Sequence, residues 1–367
     1  MSDKHTPGLK ENALVLNIHD GYSDFQADRV EINELVRSAN FHIEDTIDIK
    51  VVKPNSSFYI GTGKVEELLD IKNTLDINTL IINQDISPSQ EKKLSDKLNL
   101  KVIDRTNLIL LIFSQRAKTY EGRLQIELAQ LEYLSTRLVR GWTHLERQKG
   151  GIGVRGGPGE KQIELDRRML RVRVTQLKQR LKKLEKQRDM QRLRRQKTGA
   201  FTVAIVGYTN AGKSTLFNTL TNEKIYSADQ LFATLDTTSR KLFIEPSTSL
   251  VLSDTVGFIK NLPTNLIEAF KSTLEEATYA DLLLHIVDAS NEDKHEHIHQ
   301  VEKILKDIKA NKVPQILILN QIDKINSRPQ FDRDEYDRIN RIELSAKTGA
   351  GVEFLKQALV EYCNSNY

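Results

Sequence analysis

A glycine-rich segment at 207–214, Gly-Tyr-Thr-Asn-Ala-Gly-Lys-Ser, has residue types and spacing that bind phosphate. The glycines let the backbone turn its N–H groups toward phosphate oxygens. The lysine of this pattern reaches the β- and γ-phosphates, and the hydroxyl that follows it can bind Mg²⁺. An apolar run at 201–206 precedes the segment and a helical run follows it, as the pattern requires. The predicted nucleotide-binding residues here are Gly207, Tyr208, Thr209, Asn210, Ala211, Gly212, Lys213, Ser214 and Thr215.

Two further segments supply groups for Mg²⁺ and for the terminal phosphate. The segment 232–236 contains Thr234, whose hydroxyl can bind Mg²⁺. The sequence Asp-Thr-Val-Gly at 254–257 follows a predicted strand, so that its carboxylate can hold Mg²⁺ through water and its glycine N–H can meet the γ-phosphate. The predicted nucleotide contacts of this segment are Asp254, Thr255, Val256 and Gly257. The predicted magnesium ligands are Ser214, Thr234 and Asp254, and the predicted catalytic residues are Lys213, Thr234 and Gly257.

The last two segments have the chemistry of guanine recognition. Asn-Gln-Ile-Asp at 320–323 ends in a carboxylate that can accept hydrogen bonds from N1 and N2 of guanine, which adenine does not offer. The backbone of Ser-Ala-Lys at 345–347 can donate to the guanine O6. The predicted base-binding residues are Asn320, Gln321, Asp323, Ser345, Ala346 and Lys347. In this order, the segments resemble a translation-factor-class GTPase, with GTP as substrate and GDP as product.

Three positions qualify that prediction. Gln321 stands where such GTPases carry a lysine whose alkyl stem covers the base, so we expect reduced affinity and guanine preference. Phe258 stands where many GTPases place a glutamine that orients the attacking water, so another group or a partner must do so. Asn210 matches GTPases that bind K⁺ beside the phosphates, and the alternative is that it only shapes the loop.

Composition limits the class of protein. The chain of 367 residues is long enough for two or three domains. A single cysteine, Cys363, excludes a disulfide framework and a cysteine-based zinc site. The first twelve residues lack a signal pattern, and no apolar run is long enough to span a bilayer. We predict a monomeric cytoplasmic protein without a membrane span, and peripheral membrane association of part of the population stays open.

Positive charge is concentrated in one segment. Residues 161–197 contain fifteen Lys or Arg and four acids, a net charge of +11, although the whole chain carries only +4. A basic segment in an otherwise acidic protein favours a polyanionic partner, and nucleic acid is the partner that we predict. A solvated helix face with counterions is the alternative.

The hydropathy pattern predicts an α/β fold in three parts. They are a small N-terminal α/β domain at 1–106, a helical domain at 107–197 and a GTPase domain at 198–367 with a doubly wound, mostly parallel sheet. In the second part, apolar residues at alternating spacings of three and four predict a long antiparallel helical hairpin with a glycine-rich tip at 150–159. Strands are predicted at 13–18, 42–51, 79–82, 101–104, 201–206, 241–245, 249–253, 282–287, 315–319 and 342–344.

Long segments outside the nucleotide motifs resemble the HflX family of ribosome-associated GTPases. They lie at 58–68, 116–125, 150–168 and 254–259. The resemblance implies a GTPase that binds the large ribosomal subunit, with its N-terminal region on ribosomal RNA and its hairpin loop toward the peptidyl transferase centre. It also implies the splitting of stalled ribosomes under stress such as heat. Many family members carry a further small domain, whereas this sequence ends soon after a helix predicted near 352–362.

Two other functions remain as alternatives at this point. The first is an RNA-binding or scaffolding protein in which the nucleotide only regulates binding. The second is an ATP-using RNA remodeller, which the glutamine at 321 leaves open. A further pattern, His-Glu-x-x-His at 295–299, is typical of zinc proteases, but we interpret it as a solvated helix start because it connects two GTPase strands.

Overall fold

A computed structural model describes most of the chain. The described residues are 11–21, 25–140, 158–197, 199–221, 231–232, 234–235, 238–245, 248–260, 263 and 271–365. The chain divides into two compact units. The first contains Met1–Gln115 and Ile126–Lys178, and the second contains Arg116–Gln125 and Gln179–Tyr367. The predicted division into three domains remains a prediction.

The first unit is built on a four-stranded parallel sheet with strand order β2-β1-β3-β4. Its strands are β1 (Asn12–His19), β2 (His42–Lys50), β3 (Thr79–Ile82) and β4 (Lys101–Ile103). Its helices are α1 (Phe25–Ser38), α2 (Thr62–Thr74), α3 (Pro88–Leu98) and α4 (Arg105–Arg116), the last of which ends at the boundary of the unit. All four residues of β3 are buried, as expected of a central parallel strand covered on both faces. The predicted parallel α/β fold is confirmed.

Two long helices follow, α5 (Tyr120–Arg140) and α6 (Pro158–Lys197). In the first unit Lys178 lies 2.8 Å from Glu132, and in the second Arg188 lies 3.1 Å from Glu121. The pairing residue on α6 moves forward along the chain, from 178 to 188, while its partner on α5 moves back, from 132 to 121. The two helices are therefore antiparallel, as predicted. Of the predicted tip, residues 150–157 lie outside the described part, and its last two residues begin α6.

The second unit contains a seven-stranded sheet with strand order β10-β11-β9-β8-β5-β7-β6. Its strands are β5 (Phe201–Gly207), β6 (Thr238–Glu245), β7 (Thr248–Asp254), β8 (Leu282–Asp288), β9 (Gln315–Asn320), β10 (Gln330–Arg333) and β11 (Ile339–Glu343). Its helices are α7 (Lys213–Thr221), α8 (Lys271–Thr278), α9 (Lys294–Asp307) and α10 (Val352–Ser365), with a short 3₁₀ helix at Ile322–Ile325. The five inner strands are parallel and the two edge strands are antiparallel, which confirms the predicted mostly parallel sheet.

Strand β10 is an element that the hydropathy pattern did not predict. It has four residues, three of them exposed, and two of the four are charged. An exposed edge strand does not need apolar residues at every second position, so the sequence carries no pattern that marks it. Its pairing with β11 is seen only in the folded chain.

Both faces of the second sheet are buried. Alternate residues of β8 enter separate apolar clusters, with Leu284 and Ile286 in one and Leu283 in the other. The parallel strands place their carboxyl ends at a common edge, where the nucleotide segments begin. Among the described helices, none is long and apolar enough to cross a membrane.

Candidate functional site

The phosphate-binding loop connects β5 to α7 and requires glycine at two positions. Gly207 has a φ of +152°, and a Cβ there would lie 2.3 Å from the backbone oxygen of Ile286. Gly212 has a φ of +88°, and a Cβ there would lie 2.3 Å from Nδ2 of Asn320. Both the backbone conformation and the close approach of Ile286 and Asn320 therefore disfavour a side chain at these positions.

The lysine of the loop is buried against the loop itself. Lys213 is 6% exposed, and its Nζ donates to the Tyr208 carbonyl oxygen at 2.5 Å. Burial lowers the pKa of Lys213 to about 8, and the nearby Asp254 carboxylate opposes that shift. A buried ammonium with few partners is a strong ligand for phosphate oxygens, because it loses little water when phosphate arrives.

The three predicted magnesium ligands lie together beside the loop. The Ser214 hydroxyl donates to Oδ2 of Asp254 at 2.8 Å and lies 2.6 Å from the Thr234 hydroxyl. Asp254 is fully buried, and its Oδ1 has no hydrogen-bond partner within the described residues. Burial raises the pKa of Asp254, and Lys213 is the main opposing influence. A carboxylate with an unsatisfied oxygen and two hydroxyls form an oxygen donor set that fits Mg²⁺.

Gly257 lies against Lys213 and Thr209. A Cβ on Gly257 would lie 2.9 Å from Lys213 Nζ and 2.8 Å from Thr209 Cγ2. The loop is fixed to this segment by two backbone hydrogen bonds, from Thr209 N to Phe258 O at 2.7 Å and from Phe258 N to Gly207 O at 3.1 Å. The space at the terminal-phosphate end of the loop is therefore bounded by three predicted site residues.

The Phe258 side chain points away from this space. It is fully buried in the apolar cluster that contains Leu283 and Leu274. A side chain in this position cannot reach an attacking water, as the sequence predicted.

Tyr208 makes contacts that no local sequence pattern could indicate. Its ring stacks on His297 of α9, with centroids 3.8 Å apart and planes 4° apart. Its hydroxyl accepts from the Lys260 backbone N–H at 2.7 Å, and Lys260 Nζ lies 3.4 Å from Glu296. The predicted helix at the His-Glu-x-x-His pattern is present as α9, where His295 and His299 are exposed.

The Asn320 amide fixes the base-recognition segments to the phosphate-binding loop. Asn320 Nδ2 donates to the Ala211 carbonyl at 2.9 Å, and its Oδ1 accepts from the Ala346 N–H at 2.9 Å. Asp323 Oδ1 accepts from the Ser345 hydroxyl at 2.6 Å. The asparagine thus holds three chain segments in register, and the serine orients the carboxylate that would read the base.

Gln321 contacts the phosphate-binding loop through its side-chain amide. Its Nε2 donates to the Asn210 carbonyl at 2.9 Å, so it also joins the base segment to the loop. Asn210 has a φ of +62° and an exposed side chain, which supports the loop-shaping interpretation because asparagine tolerates this conformation. The K⁺ interpretation remains a prediction.

The remaining predicted site residues lie in the same segments, and their side chains differ in exposure and contacts. Thr215 is half-buried in α7, and Val256 is buried. The Thr255 hydroxyl donates to the Ile205 carbonyl at 2.6 Å, which is a structural contact. Lys347 is exposed.

Sequence reasoning missed His285, which lies on the central strand β8. It is 2% exposed, and its Nε2 has no hydrogen-bond partner within the described residues. Burial lowers the pKa of His285 to about 4, and the charge of Lys213 acts in the same direction. Its position in an apolar strand gave no signal in the sequence.

This loop, its carboxylate and its asparagine and aspartate at the ends of parallel strands define a P-loop GTPase domain. Three family models match in succession. Residues 26–114 match one described as "GTP-binding GTPase N-terminal", residues 116–195 match "GTP-binding GTPase Middle Region", and residues 202–321 match "50S ribosome-binding GTPase".

Curated relatives identify the family. The chain is 47% identical to "GTPase HflX" of Escherichia coli (strain K12), over 98% of this chain and 84% of that protein. It is 46% identical to "GTPase HflX" of Magnetococcus marinus, over 90% of this chain and 76% of that protein. A crystal structure of the SsGBP and GDP complex is similar at a TM-score of 0.53 and 25% identity, covering 97% of this chain and 99% of that one. The chain belongs to the HflX family of GTPases, and its reaction is the hydrolysis of GTP to GDP and phosphate.

Proposed function

We propose that this GTPase acts in the cytoplasm, where it binds the large ribosomal subunit and uses GTP hydrolysis to split or rescue stalled ribosomes under stress. The match of residues 202–321 to a family described as "50S ribosome-binding GTPase" supports the ribosomal partner. The exposed basic side chains of α6 support ribosomal RNA as the surface that it contacts.

Two groups can be distinguished among the basic residues of α6. Arg173 and Lys178 pair with acids of α5, at 2.6 Å and 2.8 Å, and so contribute to helix pairing. The second group is exposed, so it can meet solvent and phosphate; it includes Arg168, Arg171, Arg180, Lys182, Lys183 and Lys186. Arg167 lies half-buried on the same helix. We assign RNA binding to the second group.

The observation that carries the proposal is the contact of α6 with helix α8 of the GTPase domain. Arg192 is only 8% exposed, lies 3.4 Å from Glu276 of α8 and places its guanidinium 4.0 Å from the Tyr279 ring centroid. Helix α8 lies between the Asp254 segment and β8 in the chain, in the part of a GTPase that responds to the γ-phosphate. A nucleotide-dependent shift of α8 would therefore be transmitted to α6.

The site residues have distinct roles in hydrolysis under this proposal. Lys213 and the Gly257 N–H bind the terminal phosphate, and Asp323 reads guanine. Mg²⁺ would be held by Ser214 and Thr234, and by Asp254 through water, and when bound it would neutralise charge on the phosphates. Asn210 remains the candidate for K⁺.

The RNA-binding part is tested by charge reversal on α6. Lys182→Glu with Lys183→Glu should weaken co-sedimentation with large subunits, and should lower the slope of log affinity against log salt by about 1.4–1.8, because each phosphate contact contributes about 0.7–0.9. Lys303→Glu with Lys306→Glu on α9 is the matched control, since both lysines are exposed. Equal behaviour of the two double variants would contradict the assignment of α6 to RNA.

The coupling part is tested at Arg192. Arg192→Met should leave ribosome co-sedimentation near the wild-type level while lowering ribosome-stimulated phosphate release and subunit splitting, because the link to α8 is lost. Gln187→Met, at an exposed and uncharged position on the same helix, should change neither. Replacing 151–158 by a short Gly-Ser turn tests the hairpin tip in the same assays. Full splitting activity in that variant would mean that the tip is only a connector.

A further inference from the structure

The side chain of Thr209 lies at the terminal-phosphate end of the loop, and its hydroxyl makes no hydrogen bond to the described part of the protein. The residue is 6% exposed, and its Oγ1 has no hydrogen-bond partner within the described residues. Its backbone N–H is already engaged with the Phe258 carbonyl at 2.7 Å. A buried hydroxyl without a partner costs stability, so its presence calls for a partner that arrives with the substrate.

The surroundings of Thr209 identify that partner. The point where a Cβ on Gly257 would lie is 2.8 Å from Thr209 Cγ2, 3.1 Å from Thr209 Cα and 2.9 Å from Lys213 Nζ. The lysine ammonium and the Gly257 N–H are the groups that meet the γ-phosphate in GTPases. The threonine side chain therefore borders the space in which the γ-phosphate and its attacking water must sit. Its atom nearest Gly257 is the methyl Cγ2, and a rotation of about 120° about the Cα–Cβ bond exchanges that methyl for Oγ1.

A water-orienting group is needed at this end of the site. Phe258 occupies the position that supplies one in many GTPases, and its ring is buried in the core beside Leu283. Thr255, the nearby alternative hydroxyl, already donates to the Ile205 carbonyl at 2.6 Å. Thr209, by contrast, lies beside Gly257 and has a hydroxyl without a hydrogen-bond partner among the described residues.

We propose that the Thr209 hydroxyl orients the attacking water in GTP hydrolysis. It accepts a hydrogen bond from the attacking water and thereby directs the water oxygen at the γ-phosphorus. The water oxygen then forms a bond to the γ-phosphorus, the bond from that phosphorus to the β–γ bridging oxygen breaks, and GDP leaves with the bonding electron pair. The protons of the water end on the released phosphate and in solvent. The role is in the chemical step and not in ground-state binding.

The test compares Thr209→Val, which keeps the shape and removes the hydroxyl, with Thr209→Ser, which keeps the hydroxyl. Single-turnover hydrolysis by the free full-length protein should fall about tenfold to a hundredfold in the valine variant and no more than about threefold in the serine variant. Affinities for GDP and for a non-hydrolysable GTP analogue should stay within about threefold of wild type. Affinity for GDP with aluminium fluoride, a mimic of the transferring phosphate, should fall in the valine variant only.

A second readout does not depend on activity. Because the buried hydroxyl has no protein partner, Thr209→Val should raise the unfolding temperature of the nucleotide-free protein. Thr221→Val is the matched control, since its hydroxyl donates to the Phe217 carbonyl at 2.8 Å and lies outside the site. It should leave hydrolysis unchanged and should not raise the unfolding temperature. Thr209→Ala serves in place of the valine variant if the latter does not fold.

Three results would overturn the proposal. The first is wild-type hydrolysis by Thr209→Val. The second is an equal loss in the valine and serine variants, which would assign the effect to shape. The third is a loss of GTP-analogue affinity together with wild-type hydrolysis of bound GTP, which would make the hydroxyl a ligand of the ground-state phosphate only.

Discussion

Replacing Gly257 by alanine should weaken GTP binding and leave GDP binding unchanged. A Cβ at this position would lie 2.9 Å from Lys213 Nζ and 2.8 Å from Thr209 Cγ2, whereas ordinary contact begins at 3.4 Å. One of the three groups must therefore move by about 0.5 Å. The movement falls on the two groups predicted to hold the γ-phosphate, the lysine ammonium and the glycine N–H.

The size of the effect follows from hydrogen-bond geometry. N–H···O bonds lie within about 2.7–3.2 Å, so a displacement of about 0.5 Å takes one bond to the γ-phosphate out of range. A hydrogen bond to a charged group contributes about 1.5–3 kcal/mol, which corresponds to about a tenfold to hundredfold loss of affinity. GDP lacks the γ-phosphate, so the change should appear in the ratio of the two affinities.

The assay is fluorescence titration of the full-length protein with a labelled non-hydrolysable GTP analogue and with labelled GDP. Gly63→Ala is the control, because Gly63 lies in α2 and a Cβ there would meet nothing within 4 Å. The control should leave both affinities unchanged. An unaltered ratio of GTP to GDP affinity in Gly257→Ala would refute the assignment of this glycine to the γ-phosphate.

Three other predictions concern the base, the monovalent ion and pH. Asp323→Asn should shift preference from GTP to XTP in competition binding, and unchanged selectivity would mean that another segment reads the base. If Asn210 helps to hold K⁺, replacing K⁺ by Na⁺ should slow GTP hydrolysis in the wild type but not in Asn210→Ala; equal wild-type rates in both salts would remove the K⁺ interpretation. The pKa of His285 is lowered from 6.5 to about 4 in the folded chain. Below pH 6.5 the unfolded state therefore binds more protons, and stability should fall by about 2 kcal/mol at pH 5. Hydrogen exchange across Leu282–Asp288 should show this loss in the wild type but not in His285→Leu, and an equal loss in both would contradict it.

The nucleotide-binding residues could be predicted from the sequence because they lie in short segments with characteristic spacing. A loop such as 207–214 needs glycines and a lysine at fixed spacing, and a parallel strand needs a short apolar run before it. Local patterns of this kind also predicted the antiparallel hairpin, since apolar residues repeat along each helix. For the same reason β10 was missed, because an exposed edge strand has no such repeat.

The tertiary structure decided which of these segments touch. The Asn320 amide joins Ala211 to Ala346, and Tyr208 meets His297, across separations that no local pattern encodes. Whether a polar atom has a partner is likewise a property of the packed chain, as the unsatisfied Thr209 hydroxyl demonstrates. Sequence determines the residue types and the local elements, because these follow from backbone preference and hydrophobic periodicity. Proximity between distant segments is determined by how the sheet and helices pack, and this packing sets the charge, burial and free hydrogen-bonding capacity of the site.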